Sequence, residues 1–180
     1  MKLLRTIRLD ASDTFIFDKA AGPGEWAVSG AFVFWNSDPG KLEGKARSAF
    51  RGGFLGVTSF GWSTLAQIVE ASAAERAALV EALSRRLIDD FGAPDVETAR
   101  AAAEDEVAFA ESLCNQPQDT LIAVHRSCED GAVREAFRTL KPRNGAKPAR
   151  AFSFMEVEGE EEAGPDDTVD LVSLAGRERK

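Results

Sequence analysis

Apolar and polar residues alternate along the first sixty residues, and this period of two predicts β-strands. The alternation covers residues 3–9 and 14–17, and it is longest in residues 25–35, where both faces of the predicted strand are apolar. Apolar side chains on both faces indicate burial on both sides or an exposed binding face. Because short loops separate these runs, we expect an antiparallel meander rather than βαβ units.

Helical spacing replaces this alternation in the middle of the chain. Ser72 and Glu75 have the spacing of a capping box. An apolar i, i+4 stripe follows over residues 79–91, and Gly92 and Pro94 are expected to end the helix.

Two further helices are predicted on either side of that stripe. Thr64 and Gln67 have capping-box spacing, so we expect a helix over residues 65–70. Asp95 is the expected cap of a helix that runs to about Cys114 and forms an αα-hairpin with its predecessor. The predicted buried face of this last helix consists of Val96, Ala99, Ala103, Val107, Ala110 and Cys114.

The C-terminal third mixes strand and helix signals. Residues 121–124 and 151–157 have strand patterns, and Asp130 can cap a helix between them. Residues 168–174 could form an edge strand after an acidic segment. The apolar positions of the predicted helix are Val133, Ala136, Phe137 and Leu140.

These elements predict an α+β fold. We expect an N-terminal antiparallel sheet of about four strands, packed by the αα-hairpin and further helices, with one or two late strands joining the sheet. The alternative is a pair of small α+β lobes. A chain of 180 residues is long enough for one domain with a sizeable core. Residues 1–157 are the expected domain, and residues 158–180 are the expected acidic loop and tail.

The charge distribution narrows the classes of partner. The net charge is −8, and the whole excess of acidic residues lies in residues 91–180. Because an acidic protein does not attract phosphate backbones by bulk charge, we expect no nucleic-acid partner. No apolar run approaches the ~20 residues of a membrane span, and Arg5, Arg8 and Asp10 interrupt any signal-peptide pattern. A cytoplasmic protein without membrane association is the expectation.

The glycine-rich residues 51–64, RGGFLGVTSFGWST, are the first candidate site. Their glycine spacing matches neither a Walker A loop nor G-x-G-x-x-G. One interpretation is a bulged strand that leads into a capped helix. The other is a small anion held by free N–H groups at the start of that helix. The candidate ligand-binding residues are Arg47, Arg51, Gly61, Trp62, Ser63 and Thr64.

The cysteines and the single histidine are the second candidate. Cys114, His125 and Cys128 are the soft-metal ligands of the chain, and His125-x-x-Cys128 also suggests a thiol nucleophile with a histidine base. A structural zinc site takes four ligands, and no C-x-x-C pair is present. The expectation is therefore no metal and no cofactor.

Charge segregation gives two further candidates. A basic patch comes before a segment with eight acidic residues between positions 156 and 170. This basic patch could bind an anion or an acidic partner. Glutamates repeat every seven residues at Glu97, Glu104 and Glu111, as on a solvated or docking face of a helix. The basic patch consists of Arg134, Arg138, Lys141 and Arg143.

Two runs carry a resemblance to a known family. The run GVTSFGWSTLA over residues 56–66, together with KLLRTIRLD near the start, resembles a bacterial protein family without assigned function. This resemblance covers most of the chain and implies neither a catalytic residue nor a ligand.

Three hypotheses of function follow from these patterns. The leading one is a non-catalytic accessory or protein-interaction module that acts through a partner protein or as a homo-oligomer. The alternative is a module that binds a small anionic ligand at residues 51–64 and the following helix start. The third is an enzyme that depends on a thiol or a metal.

Overall fold

The computed structural model describes residues 1–129, 131–142 and 155–157. The strands in this part of the chain are β1 (Lys2–Ile7), β2 (Trp26–Val28), β3 (Phe54–Gly56), β4 (Gly61–Ser63), β5 (Leu65–Glu70), β6 (Leu121–Glu129), β7 (Ala132–Pro142) and β8 (Met155–Val157). The α-helices are α1 (Ser12–Ile16), α2 (Gly44–Gly52), α3 (Ala73–Phe91) and α4 (Val96–Ser112), and short 3-10 turns cover Ala31–Phe34 and Pro39–Lys41. No helix in these ranges is long and apolar enough to cross a membrane.

The eight described strands form one antiparallel sheet in the order β4-β3-β2-β1-β5-β6-β7-β8. The sheet curls, because the rings of Phe54 on β3 and Phe137 on β7 lie 6.2 Å apart although four strands separate them. The α+β class is therefore confirmed. The predicted N-terminal sheet of four strands is wrong in detail, since helices interrupt that region and β5 and β6 continue the same sheet.

The αα-hairpin is confirmed, and α4 packs against β1 and β2. Ser72 and Glu75 form the capping box of α3, and Gly92 ends α3 in the left-handed conformation. The Asp95 side chain accepts a hydrogen bond from the Thr98 N–H at the start of α4. The predicted alanine-rich face is buried at five of six positions; the sixth, Val96, is 67% exposed, because it lies in the first turn.

Three N-terminal predictions need correction. Residues 14–16 belong to α1 and not to a strand, and Phe17 is the extended residue that follows the helix, because the Asp10 carboxylate accepts the Ser12 N–H at 2.8 Å and turns the chain before them. The long strand predicted over residues 25–35 ends at Val28, because Gly30 is left-handed with φ 76° and a 3-10 turn follows. Residues 51–64 are not a bulged strand but the end of α2 followed by the β3–β4 hairpin.

Two predicted helices are strands. Residues 65–70 form β5, whose alternating burial fits its place between β1 and β6, so Thr64 and Gln67 are not a capping box. The helix expected after Asp130 is β7, whose residues 132–140 pair with the whole of β6. The register pairs Glu129 with Ala132, so only two residues connect the two strands, and Gly131 has φ 78°. Asp-Gly favours such turns, a signal stronger than the helical spacing here.

Residues 121–124 are confirmed as the start of β6, and residues 155–157 of the predicted late strand form β8. The remainder of that strand, Arg143 and residues 158–180 lie outside the described residues.

Candidate functional site

Helix α2 places two arginines on one face. Arg47 and Arg51 are one helical turn apart, at i and i+4, so their side chains point the same way. Both are exposed, and within the described ranges neither guanidinium has an ion pair or a hydrogen bond. Lys45 lies in the first turn of the same helix, so within the described residues α2 presents a positive surface on a protein of net charge −8.

The two arginines line a shallow cleft between α2 and β6. Its volume is about 240 Å³, and β6 contributes His125 and Cys128 to its wall. The other lining residues are Pro39, Gly40, Phe50, Arg126 and Ser127. The structure thus brings together Arg47 and Arg51 with the proposed thiol–imidazole pair, which sequence reasoning had treated as separate candidates. We call this space the arginine cleft.

A buried arginine holds the C-terminal end of α2 against β6. The Arg126 side chain is fully buried, and Nε donates to Glu135 Oε1 at 2.6 Å. Nη1 donates to the carbonyls of Phe50 at 3.0 Å and Gly53 at 2.8 Å. Nη2 donates to the Ser29 carbonyl and to Ser29 Oγ. All five guanidinium donors therefore have acceptors, which is the condition for burying this group without a large desolvation loss.

Sequence reasoning did not single out Arg126. The signal was present, because Ile122, Val124 and Arg126 fall on one face of β6 at a period of two. A charged residue at the third position of an otherwise apolar face predicts a buried, fully paired group. Its partner Glu135 lies directly opposite on β7, a pairing that the predicted helix in this region concealed.

Glu106 on α4 extends this buried cluster. Its Oε1 accepts the Gly30 N–H at 2.9 Å. Burial raises the pKa of the Glu106 carboxyl, and the negative charge of Glu135 raises it further. The hydrogen bond from Gly30 and the positive charge of Arg126 partly offset this increase. The ionised form of Glu106 is therefore less favourable in the folded protein than in the unfolded chain.

We expect Glu106→Gln to make the protein more stable than the wild type at pH 7 and to remove part of the pH dependence of its stability. A raised folded-state pKa contributes stability below the unfolded value, which is 4.5, and that contribution is lost as the pH rises through the folded pKa. Glutamine keeps the acceptor for Gly30 without the charge. Urea unfolding between pH 4 and 8 measures this, with Glu97→Gln, an exposed position on the same helix, as the control. A gap between Glu106→Gln and the wild type that does not widen with pH would contradict the prediction.

The remaining residues of the predicted anion site lie elsewhere. The Thr64 N–H donates to both carboxylate oxygens of Asp13 at 3.3 Å, and its Oγ1 donates to Asp13 Oδ1 at 2.5 Å. Ser63 Oγ donates to the carbonyls of Ile7 and Leu65. The expected helix start with free N–H groups is therefore wrong, because β5 follows Thr64 and the Thr64 N–H is bound by Asp13 of α1.

Gly61 and Trp62 have packing roles. Gly61 lies against the backbone of Ala20, where an added Cβ would be 2.6 Å from the carbonyl carbon. Trp62 is half-buried and stacks on Phe34, with ring centroids 5.3 Å apart. The glycines of the stretch thus permit close approach of neighbouring chain segments and rings.

The proposed metal set does not come together. Cys114 is buried on the inner side of the αα-hairpin, where its Sγ donates to the Ala110 carbonyl at 3.4 Å, and burial raises the pKa of its thiol to about 11. Cys128 is exposed at the arginine cleft. Among the residues that the structure describes, no group of three or more His, Cys, Asp or Glu could hold a metal ion.

The two charged surfaces predicted from sequence are altered by the fold. Arg134 and Arg138 lie on strand β7 rather than on a helix, and Arg134 Nε is 3.0 Å from Glu129 Oε2. Lys141 is on the same strand, and Arg143 is outside the described residues. On α4, Glu104 and Glu111 both bind Arg76 of α3, at 2.8 and 3.1 Å. Two of the three predicted stripe glutamates therefore join the helices of the hairpin.

Comparison with known proteins gives a family but no activity. No curated protein matches the chain, and no solved structure matches it. A family model described as a family of unknown function, DUF6505, matches residues 1–154, which include both runs that carry the resemblance noted in the sequence. The chain therefore belongs to the family DUF6505, whose function is unknown.

Proposed function

We propose that this protein is a non-catalytic interaction module that binds a partner protein through α2 and the arginine cleft. The observation that carries the proposal is the pair Arg47 and Arg51, which are exposed, one turn apart, and without a partner in the described ranges. Arginine is enriched among the residues that dominate binding energy at protein interfaces, because its planar fork binds carboxylates in a bidentate manner.

The size of the cleft favours a partner surface over an enclosed ligand. Pockets for small molecules have volumes of roughly 300–1,000 Å³ and bury most of the ligand. The arginine cleft has about 240 Å³ and is open. Such a cleft can receive one functional group, such as a carboxylate that a larger partner presents, but it cannot bury a molecule of cofactor size.

The chemistry in the cleft supports binding more than catalysis. His125 and Cys128 both line it, but they are three residues apart on a strand, so their side chains leave opposite faces of β6. A nucleophile and its base must lie within hydrogen-bond reach, and no hydrogen bond joins these two side chains in the described part of the chain.

A second candidate function is the binding of a small free anion. The convergence of Arg47, Arg51 and His125 on one cleft favours it, since two guanidinium groups and an imidazole provide several donors for one oxyanion. The two candidates differ in a thermal-shift screen of phosphates, nucleotides and carboxylates. A free anion at 100 times its Kd would add ~2.7 kcal/mol to the stability of the folded protein, whereas the interaction module shows no such shift.

The test of the proposed function compares the proteins that the full chain and its variants retain on a column. We expect Arg47→Gln/Arg51→Gln to weaken binding of the partner by roughly 30-fold or more, since truncating one interface arginine of this kind costs about 2 kcal/mol. The measurement is quantitative affinity capture at two salt concentrations, followed by titration of the retained protein.

The matched control is Arg100→Gln, because Arg100 is also exposed and makes no ion pair within the described residues, but it lies on α4. It should retain the partner as the wild type does. Equal retention by the double variant and by the wild type would show that the α2 surface is not the contact.

A further inference from the structure

A second shallow cleft lies on the other flank of α2. Its volume is about 170 Å³, and its lining includes Phe34, Trp62, Lys19 and Lys45. The rings of Phe34 and Trp62 are stacked at an interplanar angle of 28°. A Cβ added at Gly53 would be 2.7 Å from the Trp62 ring, so packing fixes the position of this aromatic wall. We call this space the aromatic cleft.

Helix α2 separates the two clefts. Arg47, Phe50 and Arg51 line the arginine cleft, whereas Lys45, Ala46 and Ala49 line the aromatic cleft. At about 100° per residue, the mean directions of these two sets of α2 positions differ by roughly 150°. A chain that crosses the outer side of α2 from one cleft to the other therefore covers about the width of a helix with its side chains, ~10–12 Å. On the inner side of α2 the clefts adjoin, because the rings of Phe34 and Phe50 lie 5.3 Å apart.

The chain between residues 34 and 40 also borders both clefts. Phe34 lines the aromatic cleft, and Pro39 and Gly40 line the arginine cleft. Between them, Trp35 is 70% exposed, which is unusual for the residue type with the largest apolar surface. Tryptophan and arginine are the residue types most enriched at interface hot spots, and this surface holds both.

The charge of this surface defines what it can accept. Residues 44–69 contain three basic residues and no acidic one. At the aromatic cleft, Asp18 is outnumbered by Lys19 and Lys45. An acidic side chain is thus favoured at the arginine cleft, and an apolar side chain fits the aromatic cleft.

We propose that this surface recognises an extended segment of a partner protein in which an acidic residue and an apolar residue lie three or four positions apart. The acidic side chain binds Arg47 and Arg51, and the apolar side chain packs against Phe34 and Trp62. An extended chain advances ~3.3 Å per residue, so three or four residues cover the ~10–12 Å between the clefts. This inference rests on the proposed function and names the chemistry of the partner.

The test uses labelled peptides and the full-length protein. Each peptide has a Gly/Ser background, a Glu-Glu pair and one phenylalanine, separated by one to seven residues. By fluorescence anisotropy, we expect the lowest Kd at a separation of three or four, at least ~10-fold below the values at one and seven. Replacing Glu-Glu by Gln-Gln should raise this Kd by ~10-fold or more. A Kd that depends neither on the separation nor on the glutamates would overturn the inference.

Variants assign each half of the peptide to a cleft. Arg47→Gln/Arg51→Gln should make the Glu-Glu and Gln-Gln peptides bind equally. Ala46→Glu, at an exposed position that lines the aromatic cleft, should abolish the preference for phenylalanine over serine. Arg100→Gln should change neither.

The two proposals fail in distinguishable ways. If the captured partner depends on Arg47 and Arg51 but the peptide series is flat, the inference is wrong and the interaction surface stands. If the captured partner is indifferent to both arginines, the interaction surface itself is wrong, and the inference falls with it.

Discussion

Replacing Arg126 by methionine is expected to lower the free energy of unfolding by about 3–5 kcal/mol, the usual consequence of removing one partner of a buried ion pair. Methionine fills a similar volume, but it leaves Glu135 charged and nearly buried, with its side chain 17% exposed. It also removes the donors to the carbonyls of Ser29, Phe50 and Gly53. Urea denaturation at pH 7 measures the loss.

Two further variants separate the buried pair from the general effect of losing a positive charge. Arg85→Met removes an exposed arginine that pairs with Glu81 on the surface of α3, and it should change stability by less than about 1 kcal/mol. Arg126→Met/Glu135→Met removes both charges, and it should be more stable than Arg126→Met alone, because no buried carboxylate is left unpaired. A double variant that is less stable than the single one would show that Glu135 does not depend on Arg126.

The buried cluster around Arg126 also fixes the position of α2, the helix that carries Arg47 and Arg51 on the protein surface. Arg126 ties the carbonyls at the end of α2 to β6 and β7, and Ser29 brings the turn after β2 to the same point. Arg126 on β6 and Glu135 on β7 form a cross-strand pair on the inner face of the curled sheet. The direction in which α2 presents Arg47 and Arg51 is thus set by a buried polar cluster on its inner side, and not by contacts of the two arginines themselves.

Local signals in the sequence predicted the αα-hairpin well. The capping box of Ser72 and Glu75, the left-handed Gly92 and the cap at Asp95 each fix one helix end by contacts within a few residues. Such contacts do not depend on the remainder of the fold, so a pattern alone identifies them. The α+β class followed from the same local patterns.

The errors occurred where tertiary pairing decides the structure. Residues 65–70 contain a possible helix cap, but the segment lies between β1 and β6 and pairs with both. Residues 133–140 have helical spacing of apolar residues, but they pair with β6 in an antiparallel register. In both cases the ladder hydrogen bonds to the neighbouring strands outweigh a weak helical preference.

The candidate site was predicted in part. Arg47 and Arg51 were named, but as flanks of a helix start near Ser63 that does not exist, and His125 and Cys128 were named for catalysis. These four residues share a cleft because α2 contacts β6. No pattern in the sequence encodes this contact, because residues 47 and 125 are brought together by the curl of the sheet.

Gly30→Ala is expected to lower the free energy of unfolding by about 2–5 kcal/mol, because two effects add at this position. Gly30 has φ 76°, a conformation that costs an L-residue about 1–2 kcal/mol. An added Cβ would also lie 2.6 Å from Leu55 Cβ and 3.0 Å from the Trp62 ring, and overpacking of this kind costs about 1–3 kcal/mol. Gly92→Ala is the matched control, since Gly92 has φ 67° but no atom within 4 Å of the added Cβ, and it should lose only the conformational part, about 1–2 kcal/mol. Equal losses in the two variants, measured by urea unfolding, would mean that the chain around Gly30 moves aside and that the wall formed by Leu55 and Trp62 is not rigid.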